Sequence, residues 1–434
     1  VSKTHNLVRE FVIPVSIAAL AIAPAMVLRV VGESESAPLN AALFGMAILA
    51  AGFLLSWGAE AAEKYIAAGF IIAIVAMITV LPEYAVDFYY AYRAGQDPSS
   101  GYVAYAAANM TGANRLLIGL AWPLMVWLHW WRSKEKGITL DRENSVEFVF
   151  LAAASAYAFV IVFKNTISII DFGVLATIFG LYLWRTSKGK NEEVEEGDEP
   201  GPGAIIAHLP PRSRWTAMGL MSVVAAVVIL LSAELFAESL VSSGRVLGLD
   251  EFLLIQWLAP LASEAPAVVI AVLFVLDGRA RAGLAAMISD KINQWTLLVG
   301  MLPIAMSVGA GQVMALPLDA RQQHEEFLLT AAQSLFALTL LMRRRLSVWS
   351  AIMLTVMFFG QLFLAFFFRS DLEREIAVLT KVAYVYLAMA AVVFVANAKR
   401  LPELLRDAMV PRKAEPVAPG PVRAVRPPAA SSNG

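Results

Sequence analysis

Long apolar runs broken by short polar stretches repeat along the 434-residue chain. A run of about 18 or more apolar residues is long enough to cross a bilayer as a helix. Twelve such runs are predicted, at roughly 11–31, 38–60, 65–92, 101–131, 145–163, 166–184, 215–240, 250–276, 283–310, 325–342, 346–368 and 375–396. The pattern predicts an all-α polytopic membrane protein. The first run is too long for the apolar core of a secretory signal and is read as a retained span. Lys and Arg fall mostly into one set of alternate loops, including Arg132, Lys134, Lys136, Arg142, Arg279, Arg281 and Arg343 to Arg345. Positive charge collects on the cytoplasmic side. Both termini are therefore expected in the cytoplasm, and a bacterial inner (plasma) membrane is the expected location.

Two stretches differ from the rest. Residues 185–214 contain N-E-E-V-E-E-G-D-E-P-G-P-G and read as a solvated cytoplasmic linker. Residues 399–434 read as a disordered cytoplasmic tail. The linker divides the chain into residues 38–184 and 215–368, flanked by one extra span in 1–37 and another in 369–398. Each half has five spans. Glu60 and Glu234 stand at matching places in L-L-S-W-G-A-E and L-L-S-A-E, and R-A-G follows the second span of each half, the one that carries Glu83 or Glu264. The charge assignment gives the halves opposite orientation. They are read as two inverted-topology five-helix repeats, an arrangement that secondary transporters use to frame a midplane ion site.

Two carboxylates change this picture from architecture to chemistry. Glu83 lies in I-T-V-L-P-E-Y-A-V and Glu264 in L-A-P-L-A-S-E-A-P-A-V, each inside a predicted span and within two residues of a proline. An ionisable group at mid-membrane costs roughly 3 kcal/mol or more and marks an ion or substrate path by default. Pro82, Pro260 and Pro266 each remove a backbone N–H and free a carbonyl, for which a cation is one partner. Composition fits: 59% of residues are hydrophobic, 16% are charged, and the net charge is −1, so no nucleic-acid partner is implied. The chain has no cysteine, and its four histidines show no metal-ligand spacing. It contains no H-E-x-x-H, G-x-S-x-G or Walker motif, so an intramembrane enzyme is not expected, and no cofactor beyond the transported cation is implied.

The two halves carry motifs that resemble those of the calcium/cation antiporter superfamily, the sodium/calcium exchangers and their bacterial relatives. That family has a T-S-L-P-E-like helix followed by a G-S-N-like helix in each repeat. Here the first repeat reads T-V-L-P-E from Thr79 to Glu83, then N-M-T-G-A-N-R from Asn109 to Arg115. The second reads P-L-A-S-E from Pro260 to Glu264, then S-D-K-I-N-Q-W from Ser289 to Trp295. The resemblance implies a secondary-active cation antiporter with alternating access. It implies that Glu83 and Glu264 are the paired metal-binding glutamates, with Thr79, Ser263, Asn109, Asn114 and Asp290 as further candidates for the ion site. Asp87 and Arg115 are secondary candidates: Asp87 as an extension of the site or a vestibule charge, Arg115 as a partner of Asp87 or Glu83.

Several positions depart from the family pattern. Val80 and Leu261 replace hydroxyl ligands, Pro260 replaces a threonine, Ala113 and Asp290 stand at serine positions, and Lys291 stands where the second repeat would carry an asparagine. Calcium takes about six to eight oxygens at about 2.3–2.6 Å. A protonated Lys291 beside it is unfavourable, since two unit charges at about 4 Å interact by about 4 kcal/mol at an effective dielectric near 20. Three outcomes remain open. Lys291 is a built-in counter-cation paired to Glu264 or Glu83, or a group that releases its proton when metal enters, or a structural cation that abolishes transport. The first gives an antiporter that moves fewer ions per cycle, and the second gives one with proton-linked coupling. The third gives a non-transporting membrane scaffold or sensor.

Overall fold

The computed structural model describes residues 8–63, 80–187, 201–318 and 321–409. Thr79, the acidic run of the linker and the end of the tail lie outside the described residues. The described residues are almost wholly helical. A π-helical turn at Val8–Val12 leads into α1 (Ile13–Val31), followed by α2 (Ala37–Glu63), α3 (Leu81–Gln96), α4 (Tyr102–Leu116), α5 (Trp122–Ser133), α6 (Ser145–Lys164) and α7 (Ile169–Thr186). Then come a short α8 (Pro202–Ala207), α9 (Pro211–Leu247), α10 (Glu251–Leu276), α11 (Ala280–Asn293), α12 (Val299–Ala310), α13 (Arg321–Leu341), α14 (Val348–Phe368), α15 (Leu372–Asn397) and α16 (Leu401–Met409).

Among the described residues, nine helical segments are long and apolar enough to cross a membrane. The other three expected spans fall short of that measure for identifiable reasons. Much of the span at 65–92 lies outside the described residues. The α4–α5 span carries buried Asn109, Asn114 and Arg115, and α13 carries buried Glu325, Glu326 and Gln333. In these two spans the buried polar groups lower the hydropathy, whereas α10 buries Gln256 and Glu264 and still keeps a mean hydropathy of 2.1.

Two helical segments are interrupted at corresponding places. α4 and α5 are joined by the π-helical turn Leu117–Ala121, and α11 and α12 by the π-helical turn Gln294–Leu298. Such turns occur frequently at functional sites. Two small antiparallel ladders tie the halves together. β1 (Gly137–Thr139) pairs with β4 (Arg345–Ser347), and β2 (Thr166–Ile167) pairs with β3 (Leu316–Pro317). Each ladder joins a loop of the first half to a loop of the second.

The core consists of α3, α4, α10 and the α11–α12 segment, with α2 and α9 packed along each other beside it. Small residues let these backbones approach, as is usual where hydrophobicity alone does not drive helix association. A Cβ on Gly95 of α3 would fall 1.9 Å from the Met306 carbonyl oxygen, and one on Gly309 would fall 2.0 Å from that of Tyr92. A Cβ on Gly112 of α4 would fall 1.9 Å from the Gln256 carbonyl oxygen of α10.

Parts of the two stretches expected to be unstructured are ordered. Ile206 and Ala207 of α8 pack against Ala61 and Ala62 of α2, so this portion of the expected linker is seated on the helical body. α16 is anchored by Arg344, which donates to Asp407 and Glu403 at 2.6 Å each. Leu404 and Ala408 are buried, so the helix sets an apolar face on the protein.

Candidate functional site

Glu83 and Glu264 meet in the interior although 181 positions separate them in the chain. Glu83 sits in the first turn of α3, directly after Pro82. Glu264 sits in the middle of α10, between Pro260 and Pro266. The two proline-bearing segments converge on Gly52 of α2, where a Cβ would fall 2.6 Å from the Pro266 ring and 3.6 Å from the Pro82 ring. The missing side chain at Gly52 lets both helices close in.

Asp290 of α11 joins them. One carboxylate oxygen from each of Glu83, Glu264 and Asp290 lies within 4.8 Å of the other two, spacing suited to a shared metal ion. Glu83 and Glu264 are 2% and 0% exposed, and Asp290 is half-buried. Each keeps one shielded carboxylate oxygen, Oε2, Oε2 and Oδ2, without a hydrogen-bond partner. Three carboxylates this close, two of them away from water, repel one another unless a cation or protons lie among them. The unpartnered oxygens are what an oxygen-seeking cation requires.

Polar side chains surround the three. Gln294, in the second π-helical turn, donates its amide to Glu264. Tyr84 donates to Asn293 at 3.0 Å, linking α3 to α11. Asp87, one turn beyond Glu83, is fully buried and accepts from Asn109 at 2.8 Å. Asp87 is thus an interior group rather than a solvated vestibule charge, and Asn109 serves it instead of pointing to the three carboxylates. The Ser263 hydroxyl turns back to its own helix, donating to the Ala259 carbonyl at 3.2 Å.

Lys291 differs from the expected pairing. It makes no ion pair with Glu83 or Glu264 among the described residues. Its ammonium donates to the side-chain oxygen of Asn114 at 2.5 Å and to the Asn114 carbonyl at 3.4 Å. It also lies 4.3 Å from the centre of the Trp295 ring, a cation–π contact. The reason is geometric. Asp290 and Lys291 are consecutive on a helix, so their side chains diverge by about 100°. Asp290 faces α3 and α10, which leaves Lys291 to face α4.

Arg115 also departs from expectation. It pairs with Glu326 of α13, with neither Asp87 nor Glu83 nor Asp290, and both partners are buried. Glu326 accepts a second bond from Gln256 of α10 at 2.8 Å, and the guanidinium lies over the Trp257 ring at 5.1 Å. The sequence reading missed Glu325, Glu326 and Gln256. The signal was present as two adjacent glutamates in an otherwise apolar predicted span.

The sodium/calcium exchanger protein family model matches residues 36–188 and 218–367. The chain belongs to this family. The two matched segments fall on the two halves of the membrane body, and the family makes the chain a cation antiporter of the membrane. A crystal structure of the H+/Ca2+ exchanger CAX is similar over 91% of this chain and 96% of its own, with 37% identity and a TM-score of 0.83. Native YfkE shares the fold at 12% identity over 86% of this chain and 99% of its own, with a TM-score of 0.58. The sodium-calcium exchanger NCX_Mj, soaked with Na+ and Sr2+, shares it at 18% identity over 75% of this chain and 97% of its own, with a TM-score of 0.50. No curated protein matches the sequence.

Proposed function

We propose that this antiporter exchanges Ca2+ for protons by alternating access, with Glu83, Glu264 and Asp290 as the carboxylates that hold either cargo. The observation that carries the reading is the three-carboxylate cluster with its unpartnered oxygens, built where two proline-bearing helices converge. Ionised, the three carboxylates and the Lys291 ammonium sum to −2, a charge that one Ca2+ or two protons would neutralise. Carbonyls freed by Pro260 and Pro266, Gln294 and water would complete the six to eight oxygens, about the number Ca2+ takes.

Lys291 stands as a tethered cation in this reading. It is fixed on Asn114 and Trp295 beside the cluster, in the place of a dissociable one. That arrangement favours fewer transported cations per cycle and disfavours Na+ as the counter-ion. The similarity to an H+/Ca2+ exchanger points the same way. Inverted repeats are supported by the matched π-helical turns and by the reciprocal β1–β4 and β2–β3 ladders. The bias of basic residues supports cytoplasmic termini.

Flux in proteoliposomes tests the reading. An imposed pH gradient should drive Ca2+ uptake, a Na+ gradient of equal size should not, and Glu83→Gln or Glu264→Gln should abolish the uptake. Unchanged exchange in both variants, or Na+ driving uptake as well as protons do, would overturn it.

A further inference from the structure

A second group of buried charged residues lies apart from the cation site, where α13 and α15 pack against α4 and α10. Glu325 and Glu326 are neighbours near the start of α13 and are 2% and 1% exposed. Glu326 is fully engaged by Arg115 and Gln256. Glu325 has no such partner, and neither of its carboxylate oxygens makes a hydrogen bond. The charged groups that face it are Glu326 on its own helix, Arg115 on α4 and Glu375 at the start of α15. Glu375 is also buried, at 5%, and has Asp250, the N-cap of α10, as a further acidic neighbour. Tyr386 of α15 lies within electrostatic reach of Arg115, and its hydroxyl has no partner either. The only positive charge among these groups is Arg115, which Glu326 already holds.

An ionised carboxylate with neither solvent nor a counter-charge is the least favourable state a glutamate can be in, and such a group takes up a proton instead. Three other polar atoms around it also lack protein partners: Arg115 Nε, Gln256 Oε1 and Gln333 Oε1. Buried polar atoms are rarely left bare, and waters usually satisfy clusters of them. Glu375 lies in the first turn of α15, at the end of the molecule where the exposed pair Arg321–Glu373 brings the starts of α13 and α15 together. Gln256, two turns before Glu264 on α10, connects it inward. Arg115 follows Asn114, the residue that holds Lys291.

We infer that Glu325 is a second proton-binding carboxyl, distinct from the cation site, reached by way of Glu375 and coupled to the cation site through Arg115 and Gln256. A proton bound to Glu325 leaves Arg115 wholly to Glu326. On release of the proton to water, the new carboxylate competes for the same guanidinium and loosens the α4–α13 contact. The protein would then sense pH at a point some helical turns from its cargo.

Infrared difference spectroscopy on the full chain in lipid tests this without requiring transport, so its outcome is separate from that of the Ca2+/proton reading. The parent should show a protonated-carboxyl stretch that titrates with pH in Ca2+-free buffer and that Glu325→Gln lacks. Because the two sites are coupled, Ca2+ affinity measured against pH in Glu325→Gln should lose the part of its pH dependence that tracks this band, and a profile identical to that of the parent would overturn the coupling. A spectrum identical to that of the parent would overturn the proposal. If Glu325→Gln does not fold, Glu325→Asp keeps the acid and should retain the band at a shifted frequency. An unshifted band in that variant would equally overturn it.

Discussion

Single side chains at this site are defined by what they lack. Glu83, Glu264 and Asp290 each leave one shielded oxygen without a donor, an unfavourable state that a cation held as proposed would relieve. Replacing one buried charged partner leaves the rest uncompensated, commonly at about 3–5 kcal/mol. Glu83→Gln and Glu264→Gln are therefore expected to weaken Ca2+ binding by at least about a hundredfold, which calorimetry with Ca2+ alone would measure. Asp290→Asn is expected to weaken it less, because Asp290 keeps partial contact with solvent. Lys291 gives a prediction of different kind. Lys291→Asn removes the tethered charge and supplies an oxygen, so Na+ should begin to compete with Ca2+ and the pH dependence of exchange should weaken. Flux across Na+ and pH gradients reads both effects, and an unchanged pH dependence would remove Lys291 from the coupling mechanism.

Among elements, the proline-bearing helices and the glycine contacts set where these side chains meet. α3 lies against α12 through Gly95 and Gly309, and α4 lies against α10 through Gly112, at distances that leave no room for a methyl group. Overpacking at such contacts costs about 1–3 kcal/mol. Gly112→Ala is expected to lower the unfolding temperature in detergent and to weaken Ca2+ binding as well, because the displaced segment of α10 carries both Gln256 and Glu264. Gly173→Ala, on α7 where nothing lies within 4 Å of the added carbon, is the matched control and should leave both unchanged. The Arg115–Glu326 pair joins α4 to α13 in the same region. Arg115→Met should destabilise the fold by about 3–5 kcal/mol, since it leaves Glu326 buried and unpaired.

For the whole molecule, ligand and fold are linked. A cation that binds the folded form alone stabilises it by about 2.7 kcal/mol at a concentration one hundred times Kd. Ca2+ should therefore raise the unfolding temperature of the wild type in detergent, chelation should reverse the shift, and Glu264→Gln should show none. The halves are held together by helix contacts and by two short ladders between their loops. These ladders lie away from Glu83, Glu264 and Asp290, and each pairs a loop of one half with a loop of the other.

The sequence by itself determined the membrane setting and the helical class, and it singled out Glu83 and Glu264 as candidates. Hydropathy is local and additive along the chain, and a glutamate beside a proline in an apolar run stands out without any neighbour being known. Partner choice was decided only by tertiary structure. Lys291 meets Asn114, 177 positions away, and Arg115 meets Glu326, because helix rotation and close packing at glycines determine which faces touch. Asp290 and Lys291 were both legible as candidates, yet one residue of helix separates a group that faces the carboxylates from one that faces away. Glu325 and Glu326 stood in the sequence as a flaw in an apolar span. Only the packing of α13 and α15 against α4 and α10 showed that one of them is paired and the other is not, because burial and pairing belong to the assembled helices and not to any one segment.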